Sequence, residues 1–231
     1  MLYSESMFLS IVLPVILCFI PLIIAVVLFL CIFKVKSWHL CIALLMGLIA
    51  VFPISIIQFF LPSLNILEEM PILRAILKSL LLYGCVEEIL KCAFLLPLPK
   101  KDKTAFEFLL LAFITGLSLG CFESVVYYLD HLQIANNRNA TLLYGSIFLR
   151  IFSSDLIHMM CTGLCGLFIF SVRNKRTCLT SLLSAIILHG IYDFFAGFQN
   201  GLRWFAVFAI LLAIAECRLK YSIIANPDSN E

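Results

Sequence analysis

Glu87, Glu88, Lys91, Glu123, Arg150, Asp155, His158, His189 and Asp193 all fall inside stretches of sequence otherwise apolar enough to lie in lipid. A charged side chain at mid-membrane costs about 2.5 to 3.5 kcal/mol even on a lenient insertion scale, so such groups turn towards the interior of a bundle and mark a site. Their spacing lets them meet. Glu87 and Lys91 are four residues apart, as are His189 and Asp193, and Asp155 and His158 are three apart, so each pair shares one helical face. Five acids stand against two permanent bases, Lys91 and Arg150. With neutral histidines, a buried site of that composition is left negative; it demands a protonated carboxyl, a cationic histidine or a divalent cation. Carboxylates held beside imidazoles in this way have the chemistry to activate a water molecule.

The elements that position these groups are read from the apolar runs. The chain has 231 residues, 63% hydrophobic and 13% charged, whereas a soluble domain carries about 25% charged residues. A water-soluble globule and a disordered chain are excluded, and a formal net charge of +2 offers no basic face to a nucleic acid. Runs at 6–33, 37–67, 79–98, 105–129, 142–172, 178–199 and a shorter one at 202–217 give seven candidate helices, judged against the roughly 20 residues that span a bilayer. The expected fold is therefore all-α, a polytopic membrane helix bundle of about seven transmembrane helices embedded in the lipid bilayer. Residues 1–78 form the first two spans and a connecting interfacial segment at 62–78, residues 79–199 the catalytic-core spans three to six, and residues 200–231 the seventh span and a tail.

Lys and Arg concentrate in alternate connections: Lys34 and Lys36, Lys100 to Lys103, Arg173 to Arg176, then Arg218 and Lys220. Short cytoplasmic loops retain positive charge, so the N-terminus is expected outside and the C-terminus inside the cell membrane. At about 1.5 Å per residue from the cytoplasmic boundaries, Glu87, Glu123, His158, His189 and Asp193 fall at roughly 16 to 28 Å, in one slab. Gly116 and Gly120 lie on the face of Glu123 and would let that helix approach a neighbour closely.

Structural roles compete for some of these residues. Lys91 has a role as counter-ion to the Glu pair, Arg150 is expected to snorkel to the headgroups, and Asp155 to cap or pair locally. The ten cysteines are scattered without a CxxC pair and read as small hydrophobes.

The ordered motifs resemble a known family. Residues 83–91 (YGCVEEILK) have the form EExxK, 116–127 (GLSLGCFESVVY) are similar to a glycine-spaced helix ending in Glu-Asn-x-x-Tyr, 150–166 (RIFSSDLIHMMCTGLCG) carry Arg, His, Thr and Gly in order, and 188–194 (LHGIYDF) contain HxxxD. Together they resemble the PrsW family of intramembrane proteases, distantly related to the type II CAAX prenyl proteases. The resemblance implies a multi-pass peptidase that cuts a membrane-anchored protein, typically an anti-sigma factor. By position, Glu87 and Glu88 match the essential Glu pair, Glu123 the acid of the second motif, His158 the His of the third, and His189 with Asp193 the last. Ser124 departs from the pattern, standing where the family commonly has Asn.

The expected mechanism is peptide-bond hydrolysis within the membrane. Glu87 is the preferred general base on a water and Glu88 its partner; His158 and His189 polarise the carbonyl, Asp193 orients His189, and Glu123 completes the water or metal site. Glu123, His158 and His189 are the ligand set if a divalent metal such as zinc takes part, since two His and one carboxylate leave an open position. The HExxH helix is absent, and the metal-independent glutamate mechanism is the preferred reading. The rival class is a proton- or ion-coupled secondary transporter using the same groups. No inverted repeat supports it, and the polar residues are confined to the spans after residue 78.

Overall fold

The computed structural model describes residues 2–60, 69–99, 101–134, 140–174 and 178–225, which form helices and no strand. The first part of the connecting segment, 62–68, lies outside the described residues. Helices α1 (Leu2–Cys31) and α2 (Ser37–Phe60) precede α3 (Pro71–Leu77), a π-helical stretch (Lys78–Cys85) and α4 (Val86–Leu95). Helical dihedrals at both junctions make these last three one continuous rod. Then follow α5 (Ala105–Ile134), α6 (Ala140–Ile151), α7 (Ser154–Arg173), α8 (Leu179–Ala196), a 3-10 turn (Gly201–Trp204) and α9 (Phe205–Ala225).

Among the described residues, five helical segments are long and apolar enough to cross a membrane: Ile11–Cys31, Ser37–Phe60, Ala105–Leu132, Tyr144–Arg173 and Leu179–Ala196. The polytopic bundle expected from sequence is present. The remaining two of the seven candidate spans are the rod containing Glu87, Glu88 and Lys91, and α9, which carries Glu216, Arg218 and Lys220 close together. The expected third span also begins earlier than 79, because the second part of the interfacial segment is the start of the same rod.

Helices α5 and α7 form the centre. Of their most apolar windows 78% and 72% are buried, against 17% for α1, whose Ile16, Ile23 and Val27 face outwards. Leu111, Ala112 and Ile114 of α5 pack against Ile157, Cys161 and Leu164 of α7 in the largest apolar cluster. The start of α5 is fixed by a reciprocal cap: the Glu107 amide donates to Thr104 Oγ1 at 3.1 Å and the Thr104 amide donates to Glu107 Oε2 at 3.1 Å.

Two glycine contacts set the helix distances that matter for the site. A Cβ on Gly116 would lie 2.5 Å from the His158 carbonyl oxygen, and one on Gly120 would lie 3.0 Å from Asp155 Cα. The close α5–α7 approach expected from Gly116 and Gly120 is thus realised. On the other side, a Cβ on Gly84 would lie 2.5 Å from the Ile186 carbonyl oxygen, and one on Gly190 would lie 2.9 Å from Leu80 Cα. The π-helical stretch and α8 therefore touch backbone to backbone immediately beside Glu88 and His189.

Candidate active site

Glu87 and Glu88 open α4, directly after the π-helical stretch. Wide helical turns of this kind rotate the residues that follow them and recur at functional sites. Here the result is that both carboxyls and Lys91 point into the bundle. Glu87 is 3% exposed, and Glu88 and Lys91 are fully buried. Glu88 is the hub. Its Oε1 accepts from Lys91 Nζ at 2.6 Å and lies 2.7 Å from His189 Nδ1, and its Oε2 accepts from Cys165 Sγ at 3.3 Å.

Glu87 is held at one oxygen only. Its Oε1 accepts from Gln58 Nε2 at 2.8 Å. Its Oε2 is buried with no hydrogen-bond partner; around it stand Lys91 Nζ at 3.4 Å, His189 Nε2 at 3.8 Å and His158 Nδ1 at 3.9 Å. Buried polar atoms are normally satisfied, so an orphaned carboxylate oxygen facing two imidazole nitrogens points to a ligand or a water.

The proton positions follow from the partners. A lysine ammonium can only donate, so His158 Nδ1, 3.0 Å from Lys91 Nζ, accepts. The ring proton of His158 is then on Nε2 and is donated to Glu123 Oε2 at 2.7 Å. His189 donates Nδ1–H to Glu88, which leaves Nε2 facing Glu87. The two rings meet edge to face with centroids 4.9 Å apart. Each imidazole thus has a carboxylate behind it and one nitrogen aimed at a shared centre.

Glu87, His158 and His189 each offer one ligand atom, all within 4.8 Å of one another. This trio differs from the set Glu123, His158 and His189 named from the sequence. Glu123 lies on the far nitrogen of His158 and is paired there with Arg150 Nη2 at 3.2 Å. Asp193, expected to orient His189, stands 3.4 Å from Nε2 on the side of the shared centre; Glu88 holds the orienting nitrogen instead. Arg150 does not snorkel. Its guanidinium bonds Glu123, Ser124 and Ser154 and lies over the Tyr127 ring, at the break between α6 and α7. Asp155 is fully buried and accepts from Ser124 Oγ at 2.8 Å. The Ser at position 124 therefore joins α5 to α7 through Asp155.

A cavity of about 480 Å³ opens onto the centre, lined among others by Gln58, Tyr83, Glu87, Glu123, Arg150, His158, His189 and Asp193. A larger one, about 690 Å³, lies by Ser171, Cys178 and Ile224 and contains none of these groups. Gln58 and Cys165 are site residues that the sequence did not single out. For Gln58 the available signal was an amide inside an otherwise apolar run.

A family model described as PrsW family intramembrane metalloprotease matches residues 36–215. The match covers most of the chain, and the chain belongs to that family, as the motif resemblance implied. No curated protein and no solved structure matches it. It is thus an intramembrane protease, and the transporter alternative falls away.

Proposed function

We propose that this PrsW-family protease hydrolyses a membrane-anchored, anti-sigma-factor-like protein at the centre formed by Glu87, His158 and His189. The observation that carries the reading is the unpartnered Glu87 Oε2 facing His158 Nδ1 and His189 Nε2, with Glu123 and Glu88 behind the two rings.

These residues fit a divalent metal of zinc's preferences: one carboxylate and two imidazoles leave an open position. A carboxylate on the outer nitrogen of each ligating histidine is the arrangement that fixes tautomer and ring orientation at such centres. Glu87 Oε2, His158 Nδ1 and His189 Nε2 would hold the ion, which when bound supplies Lewis acidity to the scissile carbonyl and to water. This arrangement favours metal assistance over the ion-free mechanism preferred from sequence. Asp193 Oδ2, on the cavity wall 3.4 Å from His189 Nε2, is placed to accept the proton of the attacking water and return it to the leaving amine. Gln58 fixes the Glu87 carboxylate, and Arg150 holds Glu123 against His158.

Co-expression with single-span membrane proteins tests the reading. Cleavage is expected from the wild type and lost in Glu87→Ala, Glu88→Ala and His189→Ala, and after chelation. Cleavage retained in all three variants would remove the centre, and retention under a strong chelator would return the mechanism to Glu87 alone.

A further inference from the structure

The proposed reaction does not use the position of Lys91. Its ammonium is fully buried, 2.6 Å from Glu88 Oε1, 3.0 Å from His158 Nδ1 and 3.4 Å from Glu87 Oε2. Two of these three atoms, His158 Nδ1 and Glu87 Oε2, are the ones that would ligate a metal. An imidazole nitrogen has a single lone pair, so His158 Nδ1 accepts a hydrogen bond from Lys91 or binds an ion, and cannot do both. Glu87 Oε2 faces the same choice between two cations a few ångströms apart in a site shielded from water, where their mutual repulsion is strong.

Resting on the metal-centre reading, we propose that the Lys91 ammonium and the divalent ion are alternative occupants of one cation position, so that Lys91 sets the metal affinity of the site. Without the ion, Lys91 neutralises Glu87 and Glu88 and holds His158 in place. When the ion binds, Lys91 withdraws from His158 and Glu87 onto Glu88, its nearest partner, whose Oε1 also keeps His189 oriented. Lys91 is then a positioning residue acting through the ligands. A lysine serving only as counter-ion to the Glu pair predicts the opposite, since its removal would loosen the ligands and weaken metal binding.

Zinc titration of the detergent-solubilised full chain against a chromophoric chelator separates the two. Lys91→Met is expected to bind zinc roughly tenfold tighter than the wild type or better, the scale on which groups just outside a metal's ligands act. Lys91→Arg, which keeps a cation there, is expected to show no gain, and His189→Ala to lose binding. A second readout is the zinc-induced rise in thermal midpoint, expected to be larger in Lys91→Met than in the wild type; it also applies if that variant is unstable under chelation. Lys91→Gln, which keeps a hydrogen-bonding tip, is expected to behave as Lys91→Met does. Unchanged or weaker affinity in both neutral variants, or their failure to fold even with excess zinc, overturns the proposal while His189-dependent binding in the wild type preserves the metal centre. Absence of His189-dependent zinc binding in every protein overturns both.

Discussion

At the scale of residues, Glu87 and Glu88 are neighbours with opposite surroundings. Every oxygen of Glu88 is engaged, to Lys91, His189 and Cys165, whereas Glu87 keeps one oxygen unpartnered. Glu88→Gln removes the closest partner of a buried ammonium, and breaking one side of such a pair typically costs on the order of 3 kcal/mol. Glu87→Gln leaves the Lys91–Glu88 pair and the Gln58 contact intact. The expected outcome is a clear loss of thermal stability in Glu88→Gln and a smaller one in Glu87→Gln, with proteolysis abolished in both. Equal stability losses, measured by thermal unfolding in detergent, would mean that the two carboxyls share the structural load. The sequence showed both acids because a charge in lipid is conspicuous. It did not show which oxygen would be left open, because helical spacing fixes a face and leaves the rotamer to the neighbours. For the same reason it grouped Glu123 with the two histidines, whereas the three candidate ligand atoms that lie together belong to Glu87, His158 and His189.

At the scale of elements, the site is set by how closely two pairs of backbones approach, α5 with α7 and the π-helical stretch with α8. Gly116 and Gly120 on α5 were legible as a close-packing pair because they stand on the face of Glu123. The Gly84–Gly190 contact was not, because it lies in the π-helical stretch, which α-helical periodicity does not describe. Gln58 escaped notice for a related reason. An amide in an apolar run costs far less than a charge, so α2 looked accessory although it reaches Glu87. Gly84→Ala places a methyl group 2.5 Å from the Ile186 carbonyl oxygen, a backbone atom that yields only if the helices separate. Overpacking of this kind costs roughly 1 to 3 kcal/mol, and the separation would stretch the Glu88–His189 bond at 2.7 Å. Both stability and cleavage are expected to fall. Gly145→Ala, on α6 with nothing within 4 Å of the added carbon, is the control and is expected to retain both. Loss of function in the control, or none in Gly84→Ala, would detach this contact from the site.

At the scale of the whole molecule, the residues lining the cavity bear on which half of the membrane the reaction would occupy. Gln58, Asp130 and Ala196 line it, and each lies near the C-terminal end of its helix, α2, α5 and α8. Those three helices begin next to Lys36, Lys103 and the basic 173–176 stretch, so by the rule that short cytoplasmic loops are positive they are expected to run outwards. On that expected orientation the centre falls in the outer half, and the proposed substrate's scissile bond would have to reach it there. Mass spectrometry of the product is expected to place the cut on the outer side of the substrate's span. An epitope at position 200, in the connection between α8 and α9, should be reached by antibody on intact cells, and one at position 102 only after permeabilisation. The reverse labelling pattern would turn the cavity towards the cytoplasm, and the same helix directions would then require the cut to fall in the inner half.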